Sequence, residues 1–374
     1  MAGTFKYRTT RPNKKDTKKT IPPPKGRPLL AYRQFQSDPE KNLIGSRFLC
    51  VEGALLLVGP SGIGKSSATI QLAILFSIGE PAFSLSPTRA LKISIVQAED
   101  DEGDIAEMVS GATNNFKLTS EQITSSEQNC IIYFHKDLTA EGFLEHVIKP
   151  ILDSDQPDII IINPLQAYLG ADAKDVEKVS RFLRNGLNPL LEAYQCAAII
   201  VHHTPKTNFR NTAEWRANDW MYAGSGTADI TNFARGVIII EPTEVDKVYK
   251  FIAAKRGNRT GWRKEELSFA EYFTWADGSI FWRDASAEER KKAQCKKQKA
   301  GVENVLAIVP ETGLIEKEEL IGRANLEIPM GEKKVRTCIN VLVKEGRLFI
   351  HEKRRPKIKP EIFLSRFATN NEAP

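Results

Sequence analysis

The run Ala54-Leu-Leu-Leu-Val-Gly59 leads without a break into Pro60-Ser-Gly-Ile-Gly-Lys-Ser66, and "SSATIQLAILFSIG" follows at once. A short run that is apolar throughout reads as a strand covered on both faces, which places it inside a parallel sheet. The segment after it has helical character. Strand, glycine-rich loop and helix form the context that the pattern GxxxxGK[ST] requires. The glycines let backbone N–H groups close around a phosphate, and the start of the helix adds its partial positive charge. Gly59, Pro60, Ser61, Gly62, Ile63, Gly64, Lys65, Ser66 and Ser67 are therefore candidate binders of a nucleoside triphosphate such as ATP. Lys65 is expected to reach the β- and γ-phosphates, and the Ser66 hydroxyl to ligate Mg²⁺.

The same strand pattern recurs in "LKISIVQAE", "CIIYF", "DIIIIN", "AAIIVHH", "VIIIEP" and "KFIAAKR". Helical stretches separate the earlier runs, which implies parallel crossovers and an α/β fold with a central, mostly parallel sheet. A short turn near Glu244–Lys247 joins the last two runs, so they are expected to form a hairpin.

In an open α/β sheet, ligands meet the carboxyl ends of the strands. Four strand ends carry suggestive residues. Glu99 is the first carboxylate after "LKISIVQA" and suits a general base that deprotonates water; Asp100 and Asp101 are expected to start the next helix. Asn163 ends "DIIIIN", where the metal-coordinating Walker B Asp belongs; it keeps an oxygen but loses the charge, so metal binding should weaken. His202 and His203 end "AAIIVHH", where a polar side chain can sense the γ-phosphate. Lys255, Arg256 and Arg259 follow "KFIAA" and suit an arginine finger directed at a neighbouring subunit. Between these, Lys206–Ala223 carries Arg210, Trp215, Arg216 and Trp220, a mixture of basic and stacking residues suited to single-stranded nucleic acid.

The 374 residues suffice for two or three domains. Residues 1–28 form a basic, proline-containing arm with too little apolar surface to fold. Residues 29–283 form the α/β domain, and 284–298 a polar linker of helical character. Residues 299–368 read as three helices and a basic β-wing, the winged-helix plan, with its third helix as a candidate for duplex DNA. The net charge of +6 is unevenly spread and favours an anionic partner. Five scattered cysteines give neither a zinc nor a disulfide pattern and fit a reducing cytoplasm. No apolar run approaches about 18 residues, so no membrane role is expected.

Taken in order, "GPSGIGKS", "IVQAEDD", "IIIINPLQAYLG", "IIVHHTPK", "GSGTADITNFARGVIII" and "AAKRGNRTG" resemble the RecA-like ATPases of the RepA-type hexameric replicative helicases over about residues 45–265. The resemblance implies a RecA-like P-loop NTPase core, a homo-oligomeric, hexameric ring, and ATP with Mg²⁺ at each subunit interface. It implies a DNA helicase or translocase of plasmid- or phage-type replication, acting on single-stranded DNA. In that family Lys65 and Ser66 would hold phosphate and metal, Glu99 would be the catalytic base, His203 the γ-phosphate sensor, and Lys255 with Arg256 would act in trans. Relatives often space the basic pair as Lys-x-Arg. Here the two are adjacent, so the finger is Arg256 or Arg259. Asn163 is the larger departure. It keeps open a second reading, an ATP-gated DNA-binding regulator with slow hydrolysis.

Overall fold

The computed structural model describes residues 26–203, 228–243, 245–265, 268–276, 278–328, 331–353 and 360–367. Most of the basic arm, the loop with Arg210, Trp215, Arg216 and Trp220, the "AGSG" turn and the basic tip at 354–359 lie outside them. The chain divides into two units, Met1–Pro39 and Glu40–Pro374. The described part of the first holds one 3-10 turn, Leu29–Gln34, with Leu29, Leu30, Tyr32 and Phe35 exposed.

The second unit starts with a small pair, β1 (Asn42–Ile44) and β2 (Leu49–Cys50). The main sheet then takes β3 (Ala54–Gly59), β4 (Ile93–Gln97), β5 (Cys130–Phe134), β6 (Ile159–Asn163), β7 (Ala197–His203), β8 (Gly236–Pro242), β9 (Val248–Lys255), β10 (Arg263–Glu265), β11 (Ser268–Trp275) and β12 (Trp282–Asp284). Their spatial order is β10-β11-β9-β8-β3-β7-β6-β4-β5, with β12 paired to β11. The stretch from β8 to β5 is parallel, and β9 to β12 extend it as antiparallel strands. The seven strands read from sequence are all present, and the hairpin joins β8 to β9.

Both faces of β3, β4, β6, β7 and β8 are buried, which explains their continuous apolar runs. Because side chains alternate, each strand feeds two cores. Leu55, Leu57, Ile93, Ile95, Ile159, Ile161, Ile199 and Val201 face one core, packed with α1 (Lys65–Ser77) and α2 (Glu102–Phe116). Leu56, Val58, Val96, Ile160, Ile162, Ala198 and Ile200 face the other. On the α1 side also lies α3 (Ser120–Asn129), closed by a Thr119 capping box. The second core takes α4 (Ala140–Phe143), α5 (Lys149–Asp155), α6 (Leu165–Tyr168), α7 (Val176–Ser180), α8 (Asn188–Tyr194) and α9 (Ala228–Phe233). Two π-helical turns, Leu144–Ile148 and Arg181–Leu187, join α4 to α5 and α7 to α8.

In the C-terminal part the helical character expected of 284–298 is seen, and one helix, α10 (Ala287–Ile308), runs on from there through the next expected helix. Ser286 caps it in a capping box with Glu289. Good helix formers fill its first turns, and neither Gly nor Pro interrupts it before Gly301. After α10 come β13 (Ile315–Glu316), α11 (Lys317–Glu327), α12 (Glu332–Lys344), β14 (Phe349–Lys353) and β15 (Glu361–Ser365), with the three strands in one sheet. Val302, Val305, Leu320, Ile321, Val335, Ile339, Leu342 and Leu364 form their own core. The buried Val335, Cys338, Ile339 and Leu342 fall on one stripe of α12, as helical spacing requires.

Candidate nucleotide site

The loop between β3 and α1 turns where glycine allows it. Gly62 and Gly64 have φ of 76° and 88°, in the left-handed region. Gly64 also has no room for a side chain: a Cβ there would come within 2.3 Å of Trp275 and 2.8 Å of Trp282. A Cβ on Gly62, by contrast, meets nothing within 4 Å. Lys65 is 4% exposed, and its amine donates to the carbonyls of Gly59 at 2.9 Å and Pro60 at 2.7 Å. Burial pulls the Lys65 pKa down to about 8, against the opposing pull of the nearby Glu99 charge.

Strand alternation decides which strand-end residues reach this loop. Odd-numbered residues of β6 and β7, and of β4, belong to the α1 face. Asn163, His203 and Gln97 continue those rows, so all three face α1. His202 falls on the opposite face and is buried there, 2% exposed. The structure thus separates the two adjacent histidines. The Asn163 side-chain nitrogen lies 3.3 Å from Ser66 Oγ, and rotating the amide offers its oxygen instead. His203 Nε2 lies 3.5 Å from a carboxylate oxygen of Glu99. The His203 pKa is lowered by burial first and then by the Lys65 charge, while Glu99 opposes both. Lys65, Ser66, Asn163, Glu99 and His203 therefore stand together. A buried ammonium, a hydroxyl beside an amide, and an accessible carboxylate beside an imidazole are the groups that hold a phosphate chain and act on water next to it.

Ser66 and Asn163 fit a hard cation of the Mg²⁺ type. Such an ion keeps waters and phosphate oxygens as most of its ligands and needs few from the protein. Among the described residues no three His, Cys, Asp or Glu side chains are grouped around a metal position.

The acidic run after β4 divides differently from the expectation. Asp101 caps α2, accepting from the Asp104 N–H, and Asp104 reciprocates. Asp100 does not start the helix. Its carboxylate accepts a hydrogen bond from Gln97 Nε2.

Two further residues escaped the sequence reading. Trp275 and Trp282 pack with ring centres 4.5 Å apart and planes tilted by 33°, against the back of the phosphate loop. The Trp282 indole N–H donates to Ser67 Oγ at 3.0 Å. Its backbone exchanges two 2.9 Å hydrogen bonds with the Gln71 side chain. The Ser67 hydroxyl is thus engaged by the indole contact and by the Gly64 carbonyl at 2.8 Å. The alternating aromatics of "FAEYFTW" were the available signal for these strands.

The basic group lies elsewhere. Lys255 is in register with Val237, which is in register with Leu56, three residues before Gly59. At about 3.3 Å per residue along the strands and about 4.8 Å between them, that is roughly 14 Å from the phosphate loop, and the chain is moving away from it. The Lys255 amine donates to the carbonyls of Thr231 at 3.2 Å and Ala234 at 2.5 Å. Arg259 donates to Ser46 O at 2.9 Å. Arg256, in a left-handed turn with φ of 59°, is exposed, and its guanidinium makes no hydrogen bond or ion pair to the described residues.

No curated protein matches the chain. Many solved structures resemble it, two of which follow. One is an ATPase domain, at 11% identity with a TM-score of 0.43, covering 63% of this chain and 85% of that one. The other is the RadB recombinase, at 13% identity with a TM-score of 0.41, covering 63% and 92%. Among the described residues, no helix is long and apolar enough to cross a membrane. Residues 22–208, half of the chain, match AAA_25, a family described as an AAA domain. With its phosphate loop set in a mostly parallel α/β sheet, this chain belongs to that family and is a P-loop ATPase.

Proposed function

We propose that the protein is an ATP-driven DNA motor of plasmid- or phage-type replication, a hexameric ring that travels along single-stranded DNA and separates duplex. The observation that carries this reading is the split between two sites. Lys65, Ser66, Asn163, Glu99 and His203 gather at one end of the sheet, while the uncommitted Arg256 lies beyond the reach of its own phosphate loop. An arginine placed so suits a neighbour's nucleotide in a head-to-tail assembly, which closes as a ring in this reading.

In this reading Lys65 holds the β- and γ-phosphates. Glu99 accepts the proton of the attacking water, and His203, touching Glu99, registers loss of the γ-phosphate. Ser66 and, more weakly, Asn163 would hold a Mg²⁺ ion, which when bound would supply neutralisation of phosphate charge. Arg256 stabilises the charge on the phosphoryl group of the next subunit. The C-terminal helices and strands serve as a winged helix on DNA. Lys333, Thr337, Asn340 and Lys344 lie exposed along one side of α12, a face of donors without a carboxylate.

Measuring ATP hydrolysis with and without single-stranded DNA tests the motor. Several-fold stimulation that Lys65→Ala abolishes is the expected result. The neutral Asn163 favours a second reading, an ATP-gated DNA-binding switch. Tight nucleotide binding with slow, DNA-indifferent turnover, restored by Asn163→Asp, would establish that one in its place.

A further inference from the structure

We propose that Asp100 supplies the carboxylate charge for the divalent cation that Asn163 lacks, and that Gln97 holds it in place. The proposal rests on the nucleotide-site reading and not on DNA translocation.

Three observations lead to it. First, Gln97 and Asn163 end neighbouring parallel strands in direct register, and both continue the row of side chains that faces α1. Their Cα atoms are therefore about 4.8 Å apart, with side chains on the same face. Asn163 reaches the Ser66 hydroxyl on that face. Second, Gln97 is 1% exposed, yet only half of its amide is satisfied. Nε2 donates to Asp100, while Oε1 has no hydrogen-bond partner among the described residues. A buried amide oxygen left unpaired costs free energy unless a missing donor, such as a metal-bound water, belongs beside it. Third, Asp100 is released from helix capping, because Asp101 performs it. Its carboxylate is instead turned back toward the strand end and remains partly open to solvent.

Ser66, Asn163, Gln97 and Asp100 thus form one row along the carboxyl ends of β6 and β4. A cation on the Ser66–Asn163 side keeps several waters. Those waters can donate to the free Gln97 oxygen and to Asp100. The negative charge usually found on β6 would then sit one strand over, on β4, acting through water. Outer-shell partners of this kind set metal affinity by about 10- to 100-fold.

The test is Mn²⁺ binding, read by electron paramagnetic resonance in the presence of a non-hydrolysable ATP analogue. Nucleotide binding without metal is measured in parallel by the analogue's fluorescence. Asp100→Asn is expected to weaken Mn²⁺ binding about tenfold or more while metal-free nucleotide binding stays unchanged. Gln97→Leu, which keeps the charge but frees it, should weaken Mn²⁺ in the same direction by less. Adding Asn163→Asp to Asp100→Asn should restore Mn²⁺ affinity, because the charge returns to β6. Unchanged Mn²⁺ affinity in Asp100→Asn overturns the proposal, and so does a double variant no better than Asp100→Asn. An Asp100→Asn protein that loses metal-free nucleotide binding as well overturns it too, since Asp100 would then only support the fold. Failure of the wild type to bind nucleotide at all would instead remove the nucleotide-site reading itself.

Discussion

The two ends of the parallel sheet handle charge in opposite ways. At the carboxyl ends, Lys65 is buried, His203 is partly so, and His203 meets Glu99 across strands. Lys65 is drawn down by burial, and His203 by burial and the Lys65 charge. At the other end, beyond β9, the basic residues are handled singly. Lys255 is spent on the carbonyls of Thr231 and Ala234, and Arg259 on Ser46, which leaves Arg256 in the open. A preorganised site needs partners already in place. A group that serves another molecule needs the reverse, and of these three Arg256 meets that requirement.

The sharpest way to break this comparison is Arg256→Ala. Turnover should fall by about 10³ or more, the usual worth of an arginine finger, while nucleotide binding remains. Mixing that variant with Lys65→Ala subunits should recover part of the activity, since each would complete the other's interface. Equal turnover in wild type and Arg256→Ala would show that the exposed guanidinium serves nothing in ATP hydrolysis. Lys255→Ala should behave differently. It loses donors to two carbonyls and is expected to lower stability by about 1–2 kcal/mol, seen in denaturant melts.

Next in size is the aromatic backing of the phosphate loop. Trp282→Ala removes a fully buried indole, its hydrogen bond to Ser67 and its packing beneath Gly64, and should cost about 3–5 kcal/mol in denaturant unfolding. Gly64→Ala should destabilise as well, because its positive φ and the Trp275 ring both reject a Cβ. If Gly64→Ala unfolds at the wild-type midpoint, the tryptophans do not set the loop.

A smaller effect comes from pH. Lys65 binds phosphate as the ammonium, and its unliganded pKa is about 8. Nucleotide affinity should therefore fall about tenfold between about pH 7 and 9, and Lys65→Ala should show no such slope. The sign for stability is opposite. Between about pH 8 and the ordinary lysine value of 10.5, the unfolded chain holds a proton that the folded one lacks, so this residue's contribution rises with pH. Affinity and unfolding free energy moving in opposite directions would separate this titration from general alkaline unfolding.

Much of this was readable in the chain. The seven strands came from continuous apolar runs, because a two-sided core leaves no polar face to blur them. Lys65, Ser66 and Asn163 came from local spacing. The placement of Asp100 and Gln97 did not, because each depends on which neighbour a strand takes. The register of β4 against β6 is a non-local fact. Strand parity in "ISIVQ" would have put Gln97 on the face of Asn163 once that pairing was known. Trp275 and Trp282 were missed for a related reason: their strands are antiparallel and far from α1 in sequence, yet they close over it.

The mildest prediction concerns the stretch read as a linker. A 22-residue helix starts there at Ala287, with Ser286 accepting from the Glu289 N–H at 3.2 Å and Glu289 accepting from the Ser286 N–H at 2.8 Å. Ser286→Ala should therefore cost about 1 kcal/mol near neutral pH. Arg283, and then the Ser286 backbone, hold the Glu289 carboxyl down to about 2. Its stabilising contribution is complete above the ordinary value of 4.5 and is lost as pH falls toward 2. Glu289→Gln should accordingly be less stable than wild type at about pH 6 and approach it near pH 2. Equal stability of both variants and wild type at about pH 6 would mean that α10 begins later than Ala287, and that a flexible joint lies between the ATPase sheet and the C-terminal helices.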